Sequence, residues 1–191
     1  MKLARDFYLR EDTVAVARDL LGKLLVVPNH SGGPISGMIV ETEAYMGITD
    51  RAAHSYGGRR TARTEATYAL GGHVYVFFVY GMYYQLNVVT GPIDHPHVVL
   101  IRAVEPIDGV LIMRERRGPM KDRNLTSGPG KLCIALGIDR SFNTADLLGD
   151  RIWIEDRGIR VDREAILVGP RIGVDYAGPD ARRPYRFRLP A

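Results

Sequence analysis

Three polar side chains interrupt segments of the sequence that otherwise consist of strand-forming apolar residues. Glu43 lies near the end of one such segment, Asn87 lies in a second, and Arg102 is the only charge in a third. A buried carboxylate is costly unless it is paired, and arginine is a natural partner for it. Glu43 and Arg102 therefore form either a salt bridge that only stabilises a sheet, or a general base beside an arginine, poised over a water molecule.

A second set of residues indicates binding. The stretch from Gly71 to Asn87 predicts a β-hairpin, because β-branched and aromatic residues flank a glycine-containing turn on both sides. The turn carries Tyr80, Met82 and Tyr83, and Gly81 is free to adopt a positive φ. Large side chains at a hairpin tip usually insert into a partner. The alternative is that the tip packs under a neighbouring loop of the same chain.

Two segments are candidates for binding phosphate. Arg59, Arg60 and Arg63 form a small basic loop, which is either a solvated surface or a clamp for a nucleic-acid backbone beside the hairpin. The sequence SGPGK, which ends at Lys131, presents backbone N–H groups and a lysine at a predicted helix start. Ordinary helix capping explains this second segment equally well.

Several common catalytic patterns are missing from the sequence. His95 and His97 lack the further ligands that a metal site needs, and a lone histidine such as His54 is more often a surface or capping residue. Ser127 is not part of a G-x-S-x-G motif, and the chain has no G-x-G-x-x-G or Walker loop. We therefore expect no metal ion, no serine hydrolase and no dinucleotide cofactor.

The composition is that of a packed protein with a modest excess of positive charge. The 191 residues are 46% hydrophobic, with a net charge of +4, and arginine dominates because only 4 of the 26 basic residues are lysines. Arginine suits bidentate contacts to phosphate and carboxylate, although genomic base composition also enriches it. The charge permits a polyanionic partner without requiring one.

The single cysteine, Cys133, cannot form an intramolecular disulfide and predicts a reducing compartment. The start of the sequence has no apolar segment of signal-peptide length, and no apolar run approaches the roughly 20 residues of a membrane span. We therefore expect a cytoplasmic protein that has no membrane partner.

Helix and strand patterns alternate along the chain. Helices are predicted from a cap at Asp12 or Thr13 to Gly22, and over 61–70, 107–117 and 127–136. Strands are predicted over 24–27, 35–45, 73–79, 83–89, 98–104, 151–155, 165–168 and 185–189, with a turn over 29–34. The sequence therefore favours a mixed α/β (α+β) fold. It predicts a single domain, residues 1–191, built on a curved, mainly antiparallel sheet with a protruding β-hairpin and flanking helices.

Five short segments occur in a characteristic order and at characteristic distances. They are ETEAY at 41–45, AAHS at 52–55, YGMYYQLN at 80–87, LIRAVEP at 100–106 and SGPGKLC at 127–133. Together they closely resemble the alkyladenine (3-methyladenine) DNA glycosylase family, and the similarity continues through RIGVDYAG at 171–178 to about residue 188. The resemblance implies a DNA repair enzyme that flips alkylated or deaminated purines out of double-stranded DNA. It would hydrolyse the N-glycosidic bond and leave an abasic site.

The resemblance implies that the hairpin tip enters the DNA. Tyr80 would fill the gap left by the flipped nucleotide, with Met82 and Tyr83 beside it. Stacking on one base is worth roughly 1–3 kcal/mol, which offsets much of an unstacking cost of a few kcal/mol. The DNA backbone would be held by the basic residues Arg59, Arg60, Arg63 and Lys131.

The resemblance also implies a pocket for the flipped base. Tyr45 and His54 would form one wall of this pocket and Phe77 the other, with the His54 backbone N–H donating to the base. Asn87 would disfavour the amino group of normal guanine. Phe77 departs from the family pattern, which has tyrosine at this position, so the residue keeps a stacking face and loses a hydroxyl.

Glu43 matches the general base of the family, which activates the water that attacks the sugar. Arg102 would orient Glu43 and the water, helped by the backbone carbonyl of Ile172. The resemblance implies no cofactor, because alkylated purines carry positive charge and leave readily. No lysine matches a Schiff-base nucleophile, so base removal without strand cleavage is expected. The resemblance further implies a monomer that associates with the nucleoid through DNA.

Two other functions stay open from the sequence. An RNA- or nucleotide-directed hydrolase on the same scaffold would keep Glu43 and Arg102 but would not need Tyr80. A non-catalytic damaged-DNA or nucleic-acid-binding module would need the hairpin and the basic loop but not Glu43. A test for base release from damaged duplexes separates the three functions.

Overall fold

A curled antiparallel sheet is the centre of the fold. The computed structural model describes residues 1–29 and 32–190, and within these ranges eight strands form one sheet. The strands are β1 (Leu24–Val27), β2 (Ile35–Tyr45), β3 (Val74–Val79), β4 (Tyr83–Thr90), β5 (His97–Asp108), β6 (Trp153–Glu155), β7 (Leu167–Gly169) and β8 (Arg186–Arg188). The main path is β3-β4-β5-β2-β1-β6, β8 pairs with β2 and β7, and every pair is antiparallel. The predicted fold class is confirmed.

Both α-helices and short 3-10 helices accompany this sheet. In the described ranges the α-helices are α1 (Arg5–Tyr8), α2 (Thr13–Asp19), α3 (Val110–Arg117) and α4 (Pro129–Leu136). Short 3-10 helices span Gly47–Thr49, Tyr56–Gly58, Glu65–Tyr68, Asp122–Asn124, Arg140–Phe142 and Asp175–Arg182. The Asp12 side chain accepts a hydrogen bond from the Ala15 N–H, which confirms the predicted cap of α2. None of the helices in these ranges has the length and apolar character that crossing a membrane requires.

The two faces of the sheet have different surroundings, because successive side chains of a strand point to opposite sides. Helix α2 packs on β2, and α4 packs on β4 and β5. Thr42 of β2 donates a 2.8 Å hydrogen bond to the Ala17 carbonyl of α2, so the next residue, Glu43, faces away from the helices. Residues on the helix side form the main hydrophobic core, among them Val76, Leu86, Val88, Val99 and Ile101. The opposite face is left for the site.

The predicted β-hairpin is present as β3 and β4. At its tip the Met82 N–H donates to the Val79 carbonyl at 3.2 Å, and the residues between them, Tyr80 and Gly81, have φ values of +54 and +66. Positive φ at both central residues is the geometry of turns that match the twist of hairpin strands. For a residue with a Cβ this conformation costs about 1–2 kcal/mol.

Several predicted boundaries are wrong. Residues 107 and 108 are predicted as helix but continue β5, because Asp108 still pairs with Ser36 of β2; α3 begins only after Gly109, at φ +73. The helix predicted over 61–70 is only a 3-10 helix at Glu65–Tyr68. The strands predicted over 151–155, 165–168 and 185–189 occur at 153–155, 167–169 and 186–188. The predicted turn over 29–34 includes His30 and Ser31, which lie outside the described residues.

Candidate active site

Four strands carry a row of side chains across the face of the sheet that the α-helices leave open. The register of β3, β4, β5 and β2 pairs Tyr75 with Asn87, Asn87 with Leu100, and Leu100 with Glu43. Directly opposed residues of antiparallel strands project from the same face. The sheet therefore brings Asn87 and Glu43 to one surface, separated only by the strand that carries Leu100.

The carboxylate of Glu43 is fully buried and is held by three groups. Its Oε1 accepts a hydrogen bond from the Ile172 backbone N–H, and its Oε2 accepts one from the Tyr45 hydroxyl, both at 2.8 Å. Nη1 of Arg102 lies 3.4 Å from Oε1. An ionised carboxylate has about four lone-pair sites, so Glu43 retains the capacity to accept a further hydrogen bond.

Burial raises the pKa of Glu43 above its ordinary value of 4.5, because the ionised carboxylate loses hydration in this position. The charge of Arg102, the Ile172 N–H and the Tyr45 hydroxyl favour the ionised form and limit that rise. A general base works best when its pKa lies near the working pH. The direction of the shift therefore suits proton acceptance by Glu43.

Arg102 reaches Glu43 from a β-bulge. The register between β2 and β5 changes between Glu41 and Thr42, which leaves Arg102 without a directly opposed residue on β2. A bulge bends its strand and re-aims the side chain. The Arg102 Nε donates to Glu41 Oε1 at 3.1 Å, while Nη1 of the same guanidinium faces Glu43. The two residues predicted for catalysis therefore meet in the structure.

A cavity of about 180 Å³ opens above this row of side chains. All five residues predicted for the base pocket line it: Tyr45, His54, Phe77, Asn87 and Ile172. Arg102 lines the cavity as well. The Asn87 side-chain amide donates to the Tyr75 carbonyl at 3.2 Å, which fixes the orientation of Asn87 on the floor. The part that the five predicted pocket residues play in binding a base stays a prediction.

His54 is a neighbour of Phe77 in this structure. The two ring centroids are 4.5 Å apart with the planes at 81°, so no planar base fits between them as they stand. This differs from the opposite walls that the family resemblance implies. His54 Nδ1 and the Tyr75 hydroxyl are hydrogen-bonded at 2.9 Å. Burial, with the nearby charges of Arg63 and Arg59, lowers the pKa of His54 from 6.5 to about 4, so the ring is uncharged at neutral pH.

Glu43 lies behind the cavity lining and does not reach the cavity itself. Its side chain is 0% exposed, because Tyr45, Arg102 and Ile172 cover the carboxylate. A water molecule reaches Glu43 only if one of these three residues shifts. Hydrogen bonds of catalytic groups in ligand-free structures commonly rearrange when substrate binds, so this cover does not exclude Glu43 as a base.

Aromatic side chains stand at the rim of the cavity. Tyr80 is 80% exposed and Met82 65%, so the alternative that the hairpin tip packs under a neighbouring loop is wrong for both. Tyr83 is less exposed because it packs against Gly130, where a Cβ would come within 2.9 Å of its side chain. Tyr176, also exposed, lines the cavity as Tyr80 does.

The predicted contacts to a DNA backbone differ in their availability. All four residues are exposed, and three of them form no ion pair within the described part of the chain: Arg59, Arg63 and Lys131. Arg60 is instead paired with Glu65 at 2.6 Å and with Asp94 at 2.7 Å. A phosphate would have to compete with two carboxylates for Arg60, so the other three are the better candidates.

Sequence reasoning missed several residues of the site. Tyr75 holds His54, Tyr176 stands at the rim, and Asp50 pairs with Arg171 directly behind Tyr45. The motif RIGVDYAG at 171–178 was the signal in the sequence that could have indicated Arg171 and Tyr176. Their contacts become apparent only when distant segments of the chain come together in the fold. Across residues 1–29 and 32–190, no group of three or more His, Cys, Asp or Glu side chains is arranged to hold a metal ion.

Comparison with known proteins identifies the family of this chain. Residues 6–191 match the methylpurine-DNA glycosylase (MPG) family. A protein of Clostridium acetobutylicum is 50% identical over 197 residues, covering 99% of this chain and 94% of the relative. A protein of Clostridium novyi is 48% identical, covering 98% and 94%, and one of Desulfitobacterium hafniense is 46% identical, covering 98% and 95%. All three carry the name "Putative 3-methyladenine DNA glycosylase". The chain belongs to the methylpurine-DNA glycosylase family and is a DNA glycosylase, a repair enzyme that hydrolyses N-glycosyl bonds.

Proposed function

We propose that the protein removes 3-methyladenine and related damaged purines from double-stranded DNA and leaves an abasic site. The observation that carries this proposal is the buried carboxylate of Glu43, 3.4 Å from Arg102, beneath an aromatic-lined cavity. The choice of 3-methyladenine as the damaged base follows from the names of the relatives. Hypoxanthine and 1,N6-ethenoadenine belong to the same proposal as purines that the cavity would also accept.

The base reaches this cavity by flipping out of the duplex, because its glycosidic bond is out of reach inside the helix. The exposed ring of Tyr80 supports this step, since it stands at the cavity and is free to enter the gap. Its positive φ supports it further, because strained backbone is often kept at functional sites. Met82 and Tyr83 flank the wedge.

Aromatic and uncharged groups hold the flipped base. A 3-methyladenine nucleotide carries positive charge, which the π faces of Tyr45 and Phe77 attract; the same faces stack on uncharged damaged purines. The uncharged ring of His54 adds no repulsion at neutral pH. For the base to enter, His54 or Phe77 moves from the contact that the two rings make in the free protein. Asn87 excludes the amino group of normal guanine.

Glu43 accepts the proton of the attacking water. The water oxygen bonds to the anomeric carbon, the proton passes to Glu43, and the electron pair of the N-glycosidic bond leaves with the purine. The carboxylate charge also stabilises the oxocarbenium-like sugar. Arg102 keeps Glu43 oriented, and the Ile172 carbonyl orients the water. Base binding shifts the cover over Glu43 so that the water can enter.

Base release is tested on duplexes that each contain one hypoxanthine, 1,N6-ethenoadenine or 3-methyladenine, with Glu43→Gln as the control. Release by the wild type and not by Glu43→Gln supports the proposal. Tight binding of the same duplexes without release indicates a non-catalytic damage-binding module. Release from RNA or free nucleotides, and not from duplex DNA, indicates the hydrolase alternative.

A further inference from the structure

A fully buried ion pair joins Asp50 to Arg171 behind the pocket. Both side chains are 0% exposed. The two guanidinium Nη atoms of Arg171 donate to the two carboxylate oxygens of Asp50, with Nη2 to Oδ1 at 2.9 Å. Asp50 also accepts hydrogen bonds from two backbone N–H groups, and Arg171 donates to two backbone carbonyls. The pair therefore ties three chain segments together in one geometry.

A contribution to the stability of the fold does not by itself explain the buried ion pair of Asp50 and Arg171. Two charges lose their hydration when they are buried, and well-packed apolar residues often replace a buried pair without loss of stability. Nε of Arg171 is also buried without an acceptor in the described part of the chain, which adds to the cost. A buried pair with these costs is better explained by the arrangement that it imposes on its neighbours.

Arg171 contacts two of the groups that hold Glu43. Its guanidinium lies over the ring of Tyr45, 4.7 Å from the centroid, and the Tyr45 hydroxyl donates to Glu43. Arg171 also directly precedes Ile172, whose N–H donates to the other carboxylate oxygen. Neither Asp50 nor Arg171 lines the cavity, so both act from behind it.

We propose that Arg171 and Asp50 are positioning residues for the general base, holding the Tyr45 hydroxyl and the Ile172 N–H on the carboxylate of Glu43. The inference rests on the proposed function of Glu43. A lysine at position 171 keeps the charge but loses the planar fork that pairs with Asp50 and stacks on Tyr45. The arrangement therefore depends on the guanidinium and not merely on a positive charge.

Disruption of the pair has a consequence that a purely structural role lacks. When the two donors lose their fixed positions, the ionised form of Glu43 loses stabilisation and its pKa rises further. The acid limb of the pH–rate profile, where the rate falls because Glu43 becomes protonated, then moves to higher pH. A variant that is only less stable yields less folded protein, which lowers the amplitude of the profile and leaves the position of the limb unchanged.

The test measures single-turnover base release against pH on the duplex that the wild type cleaves fastest. One variant is Arg171→Lys. The second combines Arg171→Met with Asp50→Asn, which leaves no unpaired charge and keeps an acceptor oxygen for one of the two backbone N–H groups. Arg10→Lys is the matched control, because Arg10 pairs with Asp19 at 2.7 Å on α2, on the helix side of the sheet.

We expect both variants to release base about tenfold or more slowly per folded molecule. Their acid limbs should lie about one pH unit above that of the wild type, whereas Arg10→Lys should match the wild type in both respects. An unmoved limb and an unchanged rate per folded molecule in the two Arg171 variants would overturn the inference. Turnover retained by Glu43→Gln would instead refute the proposed function, so the two failures are distinguishable.

Discussion

The backbone N–H of Ile172 donates a 2.8 Å hydrogen bond to Oε1 of Glu43, although 129 positions separate the two residues in the chain. Ile172 also lines the cavity and is 49% exposed, so its side chain faces the cavity while its backbone holds the carboxylate. The resemblance assigns a role to the Ile172 carbonyl, whereas the contact in the free protein uses the N–H. This donor favours the ionised form of Glu43.

Removing the charge of Arg102 should shift the pH dependence of base release. In Arg102→Gln the carboxylates of Glu41 and Glu43 lose their shared cation, so the pKa of Glu43 rises further. On the acid limb we expect release to slow at least tenfold, roughly what a pKa rise of one unit produces. The measurement is the single-turnover rate as a function of pH.

Arg186→Gln is the matched control for this variant. Arg186 pairs with Glu41 at 3.0 Å, as Arg102 does, but it makes no ion pair with Glu43 among the residues that the structure describes. We expect its acid limb to stay close to that of the wild type. Equal displacement of the limb in both variants would mean that any positive charge paired with Glu41, and not the contact of Arg102 with Glu43, sets the pKa of the base.

Glu43→Gln should stabilise the protein near neutral pH. Because folding raises the pKa of Glu43, its contribution to stability is full below 4.5 and is lost as the pH rises through the folded-state pKa. Glutamine resembles the protonated form, and Arg102 keeps Glu41 as a partner. We expect a higher free energy of unfolding than that of the wild type near neutral pH, measured by thermal unfolding. The gain should vanish at about pH 4; a lower Tm at neutral pH would contradict this account.

His54→Gln should weaken the loss of stability in acid. Folding lowers the pKa of His54 to about 4, so the unfolded chain binds a proton more readily and stability falls as the pH drops from about 6.5 towards 4. The variant lacks this contribution, so its Tm should fall less between neutral pH and pH 5 than that of the wild type. An equal fall of the Tm in His54→Gln and the wild type over this range would contradict this account.

Tyr80→Asn should raise the stability of the fold and weaken the capture of damaged bases. It creates an Asn-Gly pair, the preferred sequence when both central turn residues have positive φ, and Tyr80 and Gly81 have φ values of +54 and +66. Relief of about 1 kcal/mol would raise the Tm by roughly 2–4 °C. Lesion capture should fall sharply, while Tyr80→Phe should retain it because the ring remains. Normal base release by Tyr80→Asn on duplex DNA would exclude the wedge.

Local patterns in the sequence predicted much of the fold. The hairpin follows from the β-branched and aromatic residues on both sides of Gly81, and α2 follows from the Asp12 cap. The polar residues Glu43, Asn87 and Arg102 could be selected as candidate site residues because they interrupt apolar strands. Each of these features depends on neighbours in the sequence, where steric and hydrogen-bonding preferences act directly.

Contacts between distant segments were not predictable in the same way. The bulge that aims Arg102 arises from the register between β2 and β5, which no single strand specifies. The pairing of Asp50 with Arg171 joins residues 121 positions apart, and a sequence pattern carries no information on that distance. The contact of His54 with Phe77 likewise depends on how a loop packs on β3.

The central claim is that Glu43 is the base that activates the attacking water. The most direct test compares Glu43→Gln with the wild type on one damaged duplex, measuring the Kd of the duplex and the single-turnover rate of base release on the same samples. We predict an unchanged Kd and a rate at least about a hundredfold lower, as loss of a general base typically produces. A rate for Glu43→Gln equal to that of the wild type, at equal Kd, would contradict the account.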